Sequence, residues 1–230
     1  MTNDAIGAVR RESQALVRSL DHHPLVGAVI RGDASREEYV RFLRCTYHYV
    51  RWSGPLLAAT AAGLGRNERY AWLTATVLAK ADEESPHDRW ILEDLRRCGA
   101  NPELVKASAA PAAVQAYVEW SLAMAEAGSP AFLGYAYGLE FISMSRAQVA
   151  AENLLARAAI PEIEDASSFL VGHGIADPGH VALLEQVLGR IEDPEDQAAI
   201  LLSASMLRVL YPLFFRTAPQ AIPQPDHWTA

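Results

Sequence analysis

Cysteine is scarce in this chain: Cys45 and Cys98 are the two among 230 residues. They lie far apart and outside any metal-ligand spacing, which excludes a disulfide framework and a zinc knuckle and fits a reducing cytoplasm. Lysine is equally rare, since eighteen of the 20 basic residues are Arg. That bias carries no chemistry by itself, although Arg is the better carboxylate clamp. No basic-then-apolar segment opens the chain, and no apolar run approaches the roughly 18 residues of a membrane span. Twenty basic against 28 acidic residues leave a formal charge of -8, which repels nucleic acid and anionic membranes. The expectation is a soluble cytoplasmic protein with a small-molecule substrate and neither a nucleic-acid nor a membrane partner; self-association as a homodimer is left open. Strand-like alternation is also missing, so the class is all-α.

Half of the residues are hydrophobic, enough to bury one sizeable core and too few for two independent domains. One helical domain is expected over residues 1–218, followed by an irregular Pro-rich tail over 219–230. A first helix runs from about Asp4 to Leu20, with an apolar stripe of Ile6, Val9, Leu16, Val17 and Leu20. A short apolar turn follows His23-Pro24, and Ser35-Arg36-Glu37-Glu38 has the form of a capping box that opens the next helix. Gly54-Pro55 kinks or restarts it. A long helix then spans about Arg66 to Arg97, and Asn101-Pro102 caps a short one. Further helices fall at Pro111 to Ala127, Pro130 to Arg157, Glu162 to Arg190 with an interruption, and Pro194 to Arg216, giving seven or eight in all. Packed as a bundle, they leave a cavity between facing helices for a metal or ligand.

Three segments carry chemistry. In His173-Gly174-Ile175-Ala176-Asp177-Pro178-Gly179-His180, three potential metal ligands recur at i, i+4 and i+7. At 3.6 residues per turn they lie within roughly 60° of one another and converge on one side of a helix. Chance placement gives this pattern in about one chain in a hundred of this composition, so a second element is needed to set aside a plain polar face. That element is Glu84-Ser85-Pro86-His87, a Glu-x-x-His pair in which carboxylate and imidazole from adjacent turns reach one ion. Glu83 competes with Glu84 for this role, and the i,i+3 spacing favours Glu84. The third is Glu140, alone in the apolar and aromatic stretch Phe132 to Ile142. A buried carboxylate costs several kcal/mol unless it is paired, protonated or metal-bound. Its plain alternative is an ion pair, with Arg146 the nearest candidate. Together these make three carboxylates and three imidazoles, a set that offsets most of the charge of two ferrous ions and leaves coordination positions open for O₂.

These elements, in this order, resemble the heme-oxygenase-like di-iron oxidases, relatives by fold of heme oxygenase, TenA-type proteins and pyrroloquinoline-quinone synthase. The resemblance extends to His23-Pro24, Gly32 with Ser35, Tyr39-Val40-Arg41-Phe42-Leu43, Asp94-Leu95, Gly99, and Ser168-Phe169-Leu170 before His173. It implies a seven-helix bundle with Glu84, His87, Glu140, His173, Asp177 and His180 as ligands of two Fe(II) ions, with Mn admitted by the same donors. It also implies O₂ as co-substrate and oxidation of a small carboxylate-bearing metabolite, an amino acid or fatty acid, by desaturation, N-oxygenation or C–C cleavage. Gly172, Gly174, Pro178 and Gly179 each lower helix stability, so the ligand helix should be marginal without metal. Tyr47, His48, Arg51, Tyr137 and Phe141 are the candidates for contact with substrate, and Arg41 or Arg44 could also orient it. A metal-free oxidase like the quinone synthases and a non-catalytic helical binding protein are the alternatives. A hydrolase would need an activated cysteine, and neither Cys45 nor Cys98 has an evident base.

Overall fold

The computed structural model describes residues 3–216, and within them the side chains of all but residues 3–4 and 174–178. The tail expected from residue 219 lies outside the described residues. Eleven α-helices account for most of the described chain, joined by short turns, and the described residues contain no strand. They are α1 (Asn3–Asp21), α2 (Pro24–Arg31), α3 (Arg36–Val50), α4 (Ser53–Arg66), α5 (Thr74–Glu84) and α6 (His87–Arg97). After them come α7 (Pro102–Ala107), α8 (Ala112–Glu126), α9 (Phe132–Arg157), α10 (Ser168–Gly189) and α11 (Pro194–Phe214).

The helix ends follow the sequence chemistry. Ser35 and Glu38 make the full capping box of α3, and Asn101 and Asp193 cap α7 and α11 with Pro at the first turn. The helix count exceeds the expected seven or eight for local reasons. The segment after His23 is a helix and not a turn: the His23 side chain accepts from the Val26 amide, and Pro24 supplies a preset φ at the start of α2. The long helix expected over residues 66–97 is divided. A 3₁₀ turn occupies Ala71–Leu73, and Pro86, which lacks an N–H, separates α5 from α6. Conversely, α10 begins only at Ser168, and its backbone is helical without interruption through Pro178.

Helix α9 is the spine, packing against α10, α11, α1 and α2, while α4 packs on α5 and α8, and α3 on α6. Its apolar character nearly all round suits a helix with neighbours on every side. Gly134 permits a close approach: a Cβ there would lie 2.1 Å from the carbonyl oxygen of Ile200 on α11. Helix α11 is long and apolar enough to cross a membrane by length and composition alone. In this fold its Ile200, Ala204, Leu207, Tyr211 and Phe214 are buried in the bundle. Phe42, Tyr49, Tyr211, Phe214 and Phe215 form an aromatic cluster between α3 and α11, fixed by a 2.8 Å hydrogen bond between the Tyr49 and Tyr211 hydroxyls. The helices meet so that the end of α5, the start of α6, the middle of α9 and the first half of α10 face one another.

Candidate metal centre

Glu84 is the last residue of α5 and His87 the first of α6, so the Pro86 break, and not one continuous helix face, brings them together. The His87 Nδ1–H donates to Glu84 Oε2 at 3.1 Å. His173 arrives from α10, its Nδ1–H donating to the carbonyl oxygen of Phe169 one turn earlier at 2.8 Å. That bond places the ring lone pair on Nε2 and fixes the ring orientation, the arrangement that metal-binding imidazoles use. Ligand atoms of Glu84, His87 and His173 all lie within 4.8 Å of one another, and the two imidazoles meet edge to face at 4.6 Å between centroids. Aromatic rings wall them in: Trp90 stacks on His87 at 4.5 Å and Phe169 lies 4.3 Å from His173. Gly172 makes room for Trp90, since a Cβ there would come within 2.8 Å of the indole.

A second group adjoins the first through Glu84. The Lys80 ammonium, one turn before Glu84 on α5, lies 2.9 Å from Glu84 Oε1, 2.8 Å from Glu140 Oε1 and 3.0 Å from His180 Nδ1. Glu140 Oε2 is 3.2 Å from the same His180 nitrogen, and His180 Nε2 donates to Glu83 Oε1 at 2.7 Å. Glu84 therefore spans both groups with its two oxygens. Glu140 is buried as expected, and its cation is Lys80. Arg146 instead holds Asp21 through two bonds of 2.6 and 2.7 Å. Between the two acids, Glu84 belongs to the trio, while Glu83 is more exposed and touches His180 and Lys80. The Asp177 side chain lies outside the described residues.

Protonation follows from these contacts. Burial alone would push the Glu84 carboxyl up, but the His87 hydrogen bond and the Lys80 charge outweigh it and hold the group at about 2. Burial likewise acts against the Lys80 charge, and Glu140 and Glu84 overcome it, so Lys80 stays protonated. The hydrogen bond to Glu140 raises His180 above the usual histidine value.

The start of α10 is held by side chains from other helices. Asp94 on α6 is fully buried; its Oδ1 accepts from the Ser168 amide at 3.1 Å and the Ser168 hydroxyl at 2.7 Å, and its Oδ2 from the Phe169 amide at 3.0 Å. Ser167, at the N-cap position, makes no side-chain cap bond, so Asp94 does that work from across the interface. The Tyr39 hydroxyl donates to the Ala166 carbonyl at 2.7 Å and secures the preceding turn.

Two cavities flank the carboxylates, each bordered by Ser53, Glu84, Leu139 and Glu140. The first also reaches His173 and runs between aliphatic walls of Leu20, Val26, Val29, Ile30 and Ile142 to Phe42, Tyr49, Ser143 and Arg146. The second passes Lys80 and His180 toward Val77, Leu133 and Leu184. None of the expected substrate contacts borders either cavity. On α3 the residues bordering the first cavity are Phe42, Tyr49 and Val50, and Tyr47, His48 and Arg51 sit about 100–200° round the helix from Tyr49. His48 and Arg51 border a separate surface recess, where His48 Nε2 meets Ser108 Oγ at 3.0 Å. Tyr137 donates to Glu185 at 2.8 Å and stacks on Phe141. Arg41 donates to the Phe215 carbonyl, and Arg44 borders neither cavity. Both thiols are buried, absent from either cavity, and pushed up to about 11 by that burial, which leaves no activated cysteine.

Sequence reasoning missed Lys80 and the anchoring role of Asp94. A signal for the first was present: Lys80 stands at i,i+4 to Glu84, and Lys is rare in this chain.

An all-α bundle that gathers two acids, three imidazoles and a lysine beside an apolar cavity defines a heme-oxygenase-like helical protein with a candidate metal centre. Residues 40–211, the greater part of the chain, match the family described as iron-containing redox enzyme, and the chain belongs to that family. Among curated proteins no sequence matches it. Solved structures share the fold. One is a domain of unknown function with a heme oxygenase-like fold from Shewanella denitrificans, with TM-score 0.75, 19% identity, and 90% of each chain covered. A TenA homologue from Pseudomonas syringae gives TM-score 0.69 at 15% identity, over 92% of this chain and 89% of that one. A TenA homologue from P. horikoshii gives 0.68 at 14% identity, over 92% and 98%.

Proposed function

We propose that this chain is an O₂-dependent non-heme di-iron oxidoreductase. Glu84, His87 and His173 would hold one ferrous ion, and Glu84, Glu140 and His180, with Asp177, a second. The observation that carries the reading is the convergence of Glu84, His87 and His173 within 4.8 Å at the wall of an apolar cavity, in a chain of an iron-containing family. Two histidines and a carboxylate suit Fe(II) by donor type, and the same donors admit Mn(II). Bound ferrous iron supplies electrons and open coordination positions for O₂.

The chain's own residues set the conditions. Phe169 orients His173 through its carbonyl, Glu84 stays ionised, and Trp90 and Phe169 exclude water from the imidazoles. The aliphatic walls of the first cavity favour a substrate with an apolar body, and Ser143, beside the Arg146–Asp21 ion pair, provides a hydrogen-bond donor for a polar head. This supports an apolar amino acid or fatty acid as the oxidised metabolite.

A second reading, a cofactor-free oxidase resembling the quinone synthases, is favoured by one observation: Lys80 engages Glu84 and Glu140, two carboxylates that a second ion would need. Anaerobic Fe(II) titration of metal-free protein, then O₂ exposure followed by stopped-flow absorbance, separates the two. Specific iron uptake with a transient visible absorbance, both lost in His173→Ala, supports the iron enzyme. Absence of specific uptake refutes it and moves the cofactor-free reading forward.

A further inference from the structure

We propose that Lys80 is a built-in competitor for the second metal position, so that the centre binds one ion tightly and admits the other only when the ammonium swings out. The inference rests on the two-ion reading above and concerns how the second ion is controlled.

Three groups offered for the second ion, Glu84 Oε1, Glu140 Oε1 and His180 Nδ1, all converge on Lys80 Nζ, at 2.9, 2.8 and 3.0 Å. The ammonium donates to both carboxylates and lies beside the His180 Nδ1 that faces Glu140 Oε2, so its charged head fills the space between the three groups. The carboxylate separations suit N–H···O contacts, whereas Fe or Mn with the same donors needs roughly 2.0–2.3 Å, by analogy with Zn²⁺ and Mg²⁺. Ammonium and metal ion therefore cannot share the position.

The first trio is different. His87 and His173 gather with Glu84, whose Oε2 faces His87 while its Oε1 faces Lys80. Only Glu84 is common to both groups, so displacement of Lys80 would free its Oε1 as a donor.

The displaced ammonium has somewhere to go. Glu83 Oε2 lies 3.5 Å from Lys80 Nζ at the more exposed edge of the group. A lysine suits this role because its head is compact and its stem flexible; the planar fork of an arginine would fill the position differently and move less readily.

The test is anaerobic equilibrium dialysis of Fe(II), with metal quantified per chain, for wild type, Lys80→Met, Lys80→Gln and Lys80→Arg. Lys106→Met serves as the control for lost net charge. Wild type should bind one Fe(II) at least ten-fold more tightly than a second. Lys80→Met or Lys80→Gln should tighten the second constant at least ten-fold and change the first less than three-fold. His180→Ala added to Lys80→Met should abolish that gain. Lys80→Arg and Lys106→Met should leave the second constant weak. Should one Lys80 variant fail to fold, the other carries the test. Equal, tight binding of two ions by wild type, or second constants unchanged in both neutral variants, overturns the role of Lys80 while leaving the iron reading intact. No iron bound by any variant overturns both.

Discussion

Replacing Asp94 by Ala should unseat α10 without touching any of the proposed metal ligands. The carboxylate accepts three hydrogen bonds at the start of α10, from the Ser168 amide, the Ser168 hydroxyl and the Phe169 amide. Loss of an N-cap acceptor costs about 0.5–2 kcal/mol, and each buried donor left without a partner costs about 1–3 kcal/mol. Some of this is recovered, because burial pushes the Asp94 carboxyl up and Ala has no carboxylate to desolvate. A net loss of about 2–4 kcal/mol follows, which for a chain of this size lowers Tm by roughly 5–15 °C. His173 lies one turn beyond Phe169 and is bonded to its carbonyl, so iron affinity should fall as well. Urea unfolding of metal-free protein and Fe(II) dialysis would be run on Asp94→Ala and Asp94→Asn, the latter keeping one acceptor and losing less. A change below about 0.5 kcal/mol with unaltered iron affinity would refute the anchoring role.

The Glu84 carboxyl, held at about 2 in the folded chain against an ordinary value of 4.5, contributes stability above about pH 4.5 that is lost as pH falls toward 2. In metal-free protein this is on the order of 3 kcal/mol, so Glu84→Gln should show a flatter stability profile over that window; parallel profiles would contradict it. Gly134→Ala should destabilise by at least about 2 kcal/mol in denaturant unfolding, because the added Cβ would lie 2.1 Å from a backbone oxygen and α9 must move off α11. Cys45 and Cys98, buried and raised to about 11, should react with a thiol reagent only at the rate of unfolding. Fast labelling of either in native protein would show that the packing around it is wrong.

The helical class was legible because apolar periodicity and caps agree in most segments: the Ser35 capping box, Asn101-Pro102 and Asp193-Pro194 all form as their chemistry dictates. The break at Pro86 was harder to read, since a Glu-x-x-His pair looks alike whether it lies on one helix face or across a junction. Here the junction positions it. Burial of Glu140 followed from its apolar neighbours on α9, but its partner did not, because Lys80 is sixty residues away in the chain and only packing decides which cation reaches it. The residues expected to contact substrate border neither cavity beside the carboxylates, for a related reason. Aromatic and basic residues at 47, 48 and 51 suggested a pocket, yet the helical angle that turns Phe42, Tyr49 and Val50 inward turns those three away. Asp94 illustrates the same limit, as a residue whose role lies at the end of another helix, 74 residues on.

The most direct test of the central claim is a crystal of the protein prepared anaerobically with Fe(II), with anomalous diffraction recorded above and below the iron edge. An anomalous peak bonded to Glu84, His87 and His173 is the predicted result. Iron located away from these three side chains, or none bound in protein that is folded and saturated with Fe(II), would contradict it.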